Sequence, residues 1–156
     1  MSEPVVLGPG AGKGLPHQLG GSATFKVQGS ETNGSFFAFE TEVAAGEGPP
    51  LHVHANEEEI LYVLEGEARF RIRDDVQSAP AGAFMFVPRG VPHCFQAIGE
   101  RPARILIVFT PSGMEAFFTG LSEAIAKGSD PVEAFRESGE AAGMTVVGPP
   151  LAQSHP

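Results

Sequence analysis

The sequence predicts an all-β domain: a small sandwich or barrel of short strands, followed by a two-helix C-terminal extension. Three observations point there. Glycine and proline are abundant, at 20 and 14 of 156 residues, which favours many tight turns over long helices. Short apolar or alternating runs recur at close spacing between those turns. Helical periodicity begins only beyond Pro111. The length suits one domain with a self-sufficient core. Its expected parts are a flexible arm over residues 1–20, a barrel core over 21–110, and a helical extension over 111–156 packed on the barrel.

The arm is rich in Gly and Pro, with Val5-Val6-Leu7 as its one apolar cluster. Its Gly8-to-Gly14 run resembles a phosphate loop superficially, but Leu7 and Gly14 stand where that motif needs Gly and Ser/Thr. Thr24–Val27 is a short strand, and Asn33-Gly34 is a hairpin signal because both residues tolerate positive φ. Residues 35–43 (SFFAFETEV) form a longer strand. After the Gly46–Pro50 loop, a histidine-bearing strand leads into a strand over 59–64. Ala68, Phe70 and Ile72 alternate with Arg69, Arg71 and Arg73, apolar side inward. A short strand at 76–79 and another at 83–87 precede the rigid corner Pro88-Arg89-Gly90-Val91-Pro92. His93, Phe95 and Ala97 share one face, Cys94 and Gln96 the other. Residues 103–109 (ARILIVF) read as a deeply buried strand. That gives eight or nine short strands.

Beyond Pro111, Ser112-x-x-Glu115 is a capping-box signal. Met114, Phe117, Phe118, Leu121 and Ile125 follow at helical spacing. A second helix starts with Asp130 as N-cap, Pro131 at N1 and Glu133 at N3. Val132 and Phe135 are expected to form its apolar stripe, with a final strand at 144–147. The Phe117/Phe118/Phe135 stripe reads as packing.

Composition excludes several functions. The net charge is −9, from ten basic and nineteen acidic residues, so DNA, RNA and anionic membrane are unfavourable partners. One cysteine cannot form an internal disulfide, which suits a reducing compartment. No apolar run approaches membrane-spanning length, and the expected location is cytoplasmic. Exposed strand edges make a homodimer the expected assembly.

The chemistry concentrates in Pro49–Gly66. His52 and His54 stand at i and i+2, so on a strand they project to one face. Glu57, Glu58 and Glu59 offer three carboxylates. Both parities of the following strand are apolar, so the pattern does not select among them. A run of three Glu is usually a solvated face, and two of these are expected to be that. His93 arrives on the separate rigid corner. Imidazole and carboxylate converging on one face is what a divalent transition metal needs. His17 and His155, near the ends, are not expected to participate. Cys94 points away from His93's face and is expected to pack, and Tyr62 is expected to be structural.

These spacings resemble the cupins, small β-barrels related to the jelly roll. The family's first motif, G-x5-H-x-H-x(3,4)-E-x6-G, is matched by Gly46, His52, His54, Glu59 and Gly66. The x6 spacing to Gly66 selects Glu59 over its neighbours. The second motif, G-x5-P-x-G-x2-H-x3-N, is matched by Gly82, Pro88, Gly90 and His93, with Ala97 in place of the last Asn. The resemblance implies a jelly-roll-like barrel and a metal held by His52, His54, Glu59 and His93. Iron, manganese, nickel, cobalt, copper or zinc would each suit three nitrogens and one oxygen. Four ligands on an ion that prefers six leave room for substrate. A doubly charged ion with one Glu ligand leaves the site net positive, which favours an anionic or enolisable small molecule. Glu59 is also the candidate catalytic base.

The layout, including the tail from Thr110 to Leu151, resembles the quercetin-2,3-dioxygenase-like cupins. That implies O2-dependent cleavage of a flavonol-like enediol. Phe37, Phe39, Phe70, Phe84, Phe86 and Phe95 are candidates for either an aromatic-accepting pocket or simply the barrel core. Because one fold hosts many reactions, two alternatives stand beside it. One is a metal-assisted cyclase or isomerase of a polyketide or sugar-like ketone without O2. The other is a non-catalytic small-molecule-binding protein.

Overall fold

The computed structural model describes residues 2–156. Eleven strands run in the order β1 (Lys13–Leu15), β2 (Ala23–Val27), β3 (Phe37–Val43), β4 (Pro50–His54), β5 (Glu58–Glu65), β6 (Glu67–Ile72), β7 (Asp75–Pro80), β8 (Phe84–Val87), β9 (His93–Ile98), β10 (Ala103–Thr110) and β11 (Met144–Pro150). Helices α1 (Glu115–Ala126) and α2 (Pro131–Ala141) lie between β10 and β11, and a single turn, α3 (Leu151–Ser154), follows. The strands form two antiparallel sheets, β1-β2-β3-β10-β5-β8 and β11-β4-β9-β6-β7. The apolar core fills the space between them. This is the jelly-roll barrel with a helical C-terminal extension that the sequence predicts.

Alternation places the core. Along β10 the residues Ala103, Ile105, Ile107 and Phe109 are buried and their neighbours are half-buried, as period two requires of a central strand. Phe37 stacks on Phe39 with ring centroids 5.3 Å apart, and Phe25 meets Phe37 edge-on at 4.7 Å. Gly66 turns β5 into β6 at φ 76°, and a Cβ there would lie 2.6 Å from the Pro102 carbonyl oxygen. No L side chain fits that turn.

Four local expectations change. Residues 13–15, read as part of a flexible arm, pair with β2 and extend the sheet. Ser112 does not cap α1. Glu115 instead accepts from the Gly113 N–H at 2.7 Å and the Gly29 N–H at 2.8 Å, tying the helix start to the β2–β3 loop. Asp130 caps α2 as expected, accepting from the Glu133 N–H at 3.0 Å, but Val132 is 69% exposed and Ala134 joins Phe135 on the buried side. Phe84 and Phe86 stand on the outer face of edge strand β8 beside Tyr62, with Phe84 64% exposed, so neither belongs to a pocket or to the core. β9 is buried on both faces because the C-terminal turn covers its outer side. There Cys94 packs with Leu51 and Leu151, and Arg69 donates to the Leu151 and His155 carbonyls. Burial pushes the Cys94 thiol up to about 11, which leaves it unreactive. Among the described residues no helix is long and apolar enough to cross a membrane.

Candidate metal centre

Both sheets contribute to one buried cluster. β4 carries His52 and His54 on its inward parity. Its neighbour β9 begins at His93, whose Cα pairs with that of His52. From the opposite sheet, β5 presents Glu59 on the same inward parity as Leu61 and Val63. The parity that the sequence left undecided is settled by packing: Tyr62 lies on the other face, exposed. The donor atoms of His52, His54, Glu59 and His93 all lie within 4.8 Å of one another. Metal–ligand bonds of about 2.0–2.2 Å put opposed donors on one ion about 4.0–4.4 Å apart, so small adjustments suffice. All four side chains are buried.

Hydrogen bonds set the imidazole orientations. His52 Nδ1–H donates to the Pro50 carbonyl at 2.7 Å, and His93 Nδ1–H donates to the Val91 carbonyl at 2.9 Å. Each Nε2 is thereby turned into the cluster, the arrangement that ligating histidines need. His93 Nε2 lies 2.5 Å from Glu59 Oε2. His54 Nε2 is 3.3 Å from the same oxygen without a hydrogen bond, and its Nδ1 is also unpartnered. A buried imidazole with two idle nitrogens costs free energy, and an ion at the cluster would engage one of them. The residues present therefore fit a metal.

Electrostatics agree. Burial, together with His93 and His54 nearby, pushes His52 well below its usual value, so it stays neutral. For Glu59 burial would raise the carboxyl, but His93 and His54 beside it outweigh that and pull it down. For His93 burial is outweighed by Glu59, and the net shift is upward. Without an ion, both shifts favour an ionised Glu59 beside a protonated His93.

The cluster forms one end of a cavity of about 60 Å³. Its walls are mostly apolar: Phe39, Phe95, Phe109, Ile107 and Met114 among them. The ring of His54 meets Phe109 at 4.9 Å. Phe117, Phe118 and Phe135, expected only to pack, also line it, so the helices roof the site. Phe37 and Phe70 remain in the core. Two polar residues escaped the sequence reading. Glu57, expected on a solvated face, is 4% exposed, and burial pushes its carboxyl up. Gln18, from the expected arm, lines the cavity. Nothing in the spacing signals either one, because both depend on how distant segments pack.

Part of the chain that carries this geometry is similar to known proteins. Residues 39–109 match the family model described as a cupin domain. Over 96 residues the chain is 29% identical to the tetracenomycin polyketide synthase protein TcmJ of Streptomyces glaucescens, covering 61% of this chain and 64% of that one. It is 32% identical over 72 residues to an uncharacterised protein of Methanocaldococcus jannaschii, covering 46% and 58%. The matched stretches thus span less than two thirds of either relative. An RmlC-like cupin from Shewanella frigidimarina superposes with a TM-score of 0.61 at 20% identity, covering 73% of this chain and 96% of that one. The stretch over β3–β10 is thus similar to cupin domains, and the two antiparallel sheets have the cupin jelly-roll fold.

Proposed function

We propose that the protein is a metal-dependent dioxygenase that cleaves a flavonol-like or other enediol substrate with O2. The observation that carries this reading is the pairing of a four-donor cluster with an aromatic cavity that opens directly onto it. His52, His54, Glu59 and His93 would hold the metal. When bound, the ion would supply Lewis acidity toward an enolisable carbonyl and, if redox-active, electron exchange with O2. The chain's own residues do the rest. Glu59 Oε2 is the oxygen placed to take a proton from an enolisable substrate. Phe39, Phe95 and Phe109 exclude water and favour a flat apolar ligand. The test is O2 uptake by metal-loaded protein with a panel of flavonols and other enediols. Substrate-dependent uptake supports the reading, and turnover without uptake overturns it.

A second reading is favoured by one comparison. The 29%-identical relative is named as a polyketide synthase protein. By that analogy the same site would assist cyclisation or isomerisation of a polyketide-like or sugar-like ketone, with Glu59 moving the proton and no O2 consumed. Anaerobic turnover to a product of unchanged mass would select it. A protein that only binds its ligand would show neither result, and its ligand affinity alone would respond to His54→Ala.

The homodimer expected from the sheet edges has a candidate face on β8. There Phe84, Phe86 and Tyr62 are exposed together. Nearby charges on this sheet neutralise one another: Glu40 pairs with Lys26 and Arg104, and Arg104 with Glu65. Two copies of a chain at −9 repel least through such a neutral face. Light scattering of wild type and Phe84→Asp tests it: a dimer converted to monomer supports this face, and an unchanged mass overturns it.

A further inference from the structure

The cavity is smaller than the ligand proposed for it. About 60 Å³ holds a few water molecules, whereas ligand pockets span about 300–1,000 Å³. One segment separates this space from two surface grooves. Gln18, Gly20, Gly21 and Ser22 line both the cavity and a groove of about 480 Å³. Leu19 and Gly20, with Pro49 and Phe135, line both the cavity and a second groove of about 400 Å³. Lifting residues 16–22 would join cavity to groove and bring the space into the ligand range.

Two hydrogen bonds pin the segment's end to β3, Ser22 N–H donating to the Glu42 carbonyl at 3.0 Å and Ser22 Oγ accepting from the Glu42 N–H at 2.9 Å, and the rest is lightly attached. Two side-chain bonds tie it to α1: Ser122 Oγ–H donates to the Pro16 carbonyl at 2.7 Å, and Gln18 Nε2 donates to the Phe118 carbonyl at 3.0 Å. Gln18 Nε2 also approaches the Pro16 carbonyl at 3.4 Å. Because the amide nitrogen faces two carbonyls, the amide orientation is fixed, and Oε1 is the other end. That oxygen is buried and accepts no hydrogen bond. Gly21 closes the segment onto β3, and a Cβ there would collide with Thr41 Oγ1. Between the cluster and Gln18 lies a run of rings: from His54 it passes through Phe109 (4.9 Å), Phe39 (6.2 Å) and Phe118 (4.5 Å), whose carbonyl holds Gln18.

We propose that residues 16–22 are a ligand-closed strap, and that Gln18 is its specificity residue. Nε2 latches the closed strap to α1, and Oε1 accepts from a hydroxyl on the ligand at the end remote from the metal. The substrate class is therefore a flat apolar molecule with chelating oxygens at one end and an O–H donor at the other. This rests on the aromatic-substrate reading above.

The test is equilibrium binding to metal-loaded protein of two probes, 3-hydroxyflavone and 3,4′-dihydroxyflavone, which differ in one distal hydroxyl. Wild type should bind the dihydroxy compound about tenfold tighter, the range of one buried hydrogen bond. Gln18→Met should erase that preference and leave 3-hydroxyflavone affinity within about threefold. Equal affinities in wild type, or a preference that survives Gln18→Met, overturns the role of Gln18 while leaving the aromatic reading in place. An equal weakening of both probes by Gln18→Met shows a latch alone and also overturns it. If neither probe binds wild type, the aromatic reading fails and the proposal falls with it.

Discussion

The floor and the roof of the cavity are built by different kinds of sequence. The floor is the four-residue cluster on β4, β5 and β9, held by strand pairing and by Nδ1–carbonyl bonds two residues back along the chain. The roof is the 16–22 strap with α1 and α2, held by packed rings, by two side-chain hydrogen bonds to α1 and by the Ser22–Glu42 pair at β3. Floor residues are fixed by local geometry that fixed spacings encode. Roof residues are fixed only when segments a hundred positions apart meet, as Gln18 and Phe118 do. The floor should therefore govern metal, and the roof should govern stability and ligand access.

The largest effect should come from the floor. A site of this kind shares a binding free energy of about 10–16 kcal/mol among its ligands. Losing one of four then costs about a hundredfold to a thousandfold in metal affinity. His93→Ala should show that loss in a competition titration with a chromophoric chelator, and a change under about tenfold would remove His93 from the ligand set. Next comes the roof. Phe117→Ala should cost about 3 kcal/mol or more in denaturant unfolding, while metal content at low temperature stays at wild-type level. A parallel loss of metal would show that floor and roof are not separable.

Protons sharpen the same contrast. His93 is raised in the ion-free protein, so its proton must leave before an ion binds. Metal affinity should therefore rise with pH from about 6 to 8, with proton release visible by calorimetry in buffers of differing ionisation enthalpy. The ion-free protein should show the opposite contribution from this group. A raised His93 stabilises the fold below its unfolded value of 6.5, and that stability is lost as pH rises through the folded value. His52 is depressed, and its contribution is lost instead as pH falls below 6.5. A metal affinity independent of pH would contradict the proton placement. The smallest effect belongs to the strap. Ser122→Ala removes one anchor and should speed metal extraction by EDTA only a few-fold, with affinity unchanged.

The resemblance to the cupin motifs made the floor legible. The motif's x6 spacing to Gly66, a turn at φ 76° that only glycine makes, picks out Glu59 where strand parity alone left three carboxylates open. The barrel strands were readable from alternation, as in β6 and β10. The exposure of Phe84 and Phe86 was not, since an edge strand's outer face shows the same alternation as an inner one. Glu57 was misread because a charge run looks solvated until neighbouring segments fold over it. Gln18 sat in a Gly-rich stretch with no periodicity, and its role depends wholly on α1 arriving from the other end of the chain.

The central claim is that His52, His54, Glu59 and His93 hold one metal ion. It is tested most directly by elemental analysis of purified protein reconstituted in turn with iron, manganese, nickel, cobalt, copper and zinc, then dialysed. With at least one of these metals, wild type should retain about one ion per chain. His54→Ala, folded by circular dichroism, should retain less than about a tenth of that. Wild type that holds no stoichiometric ion, or His54→Ala that holds a full one, would contradict the account.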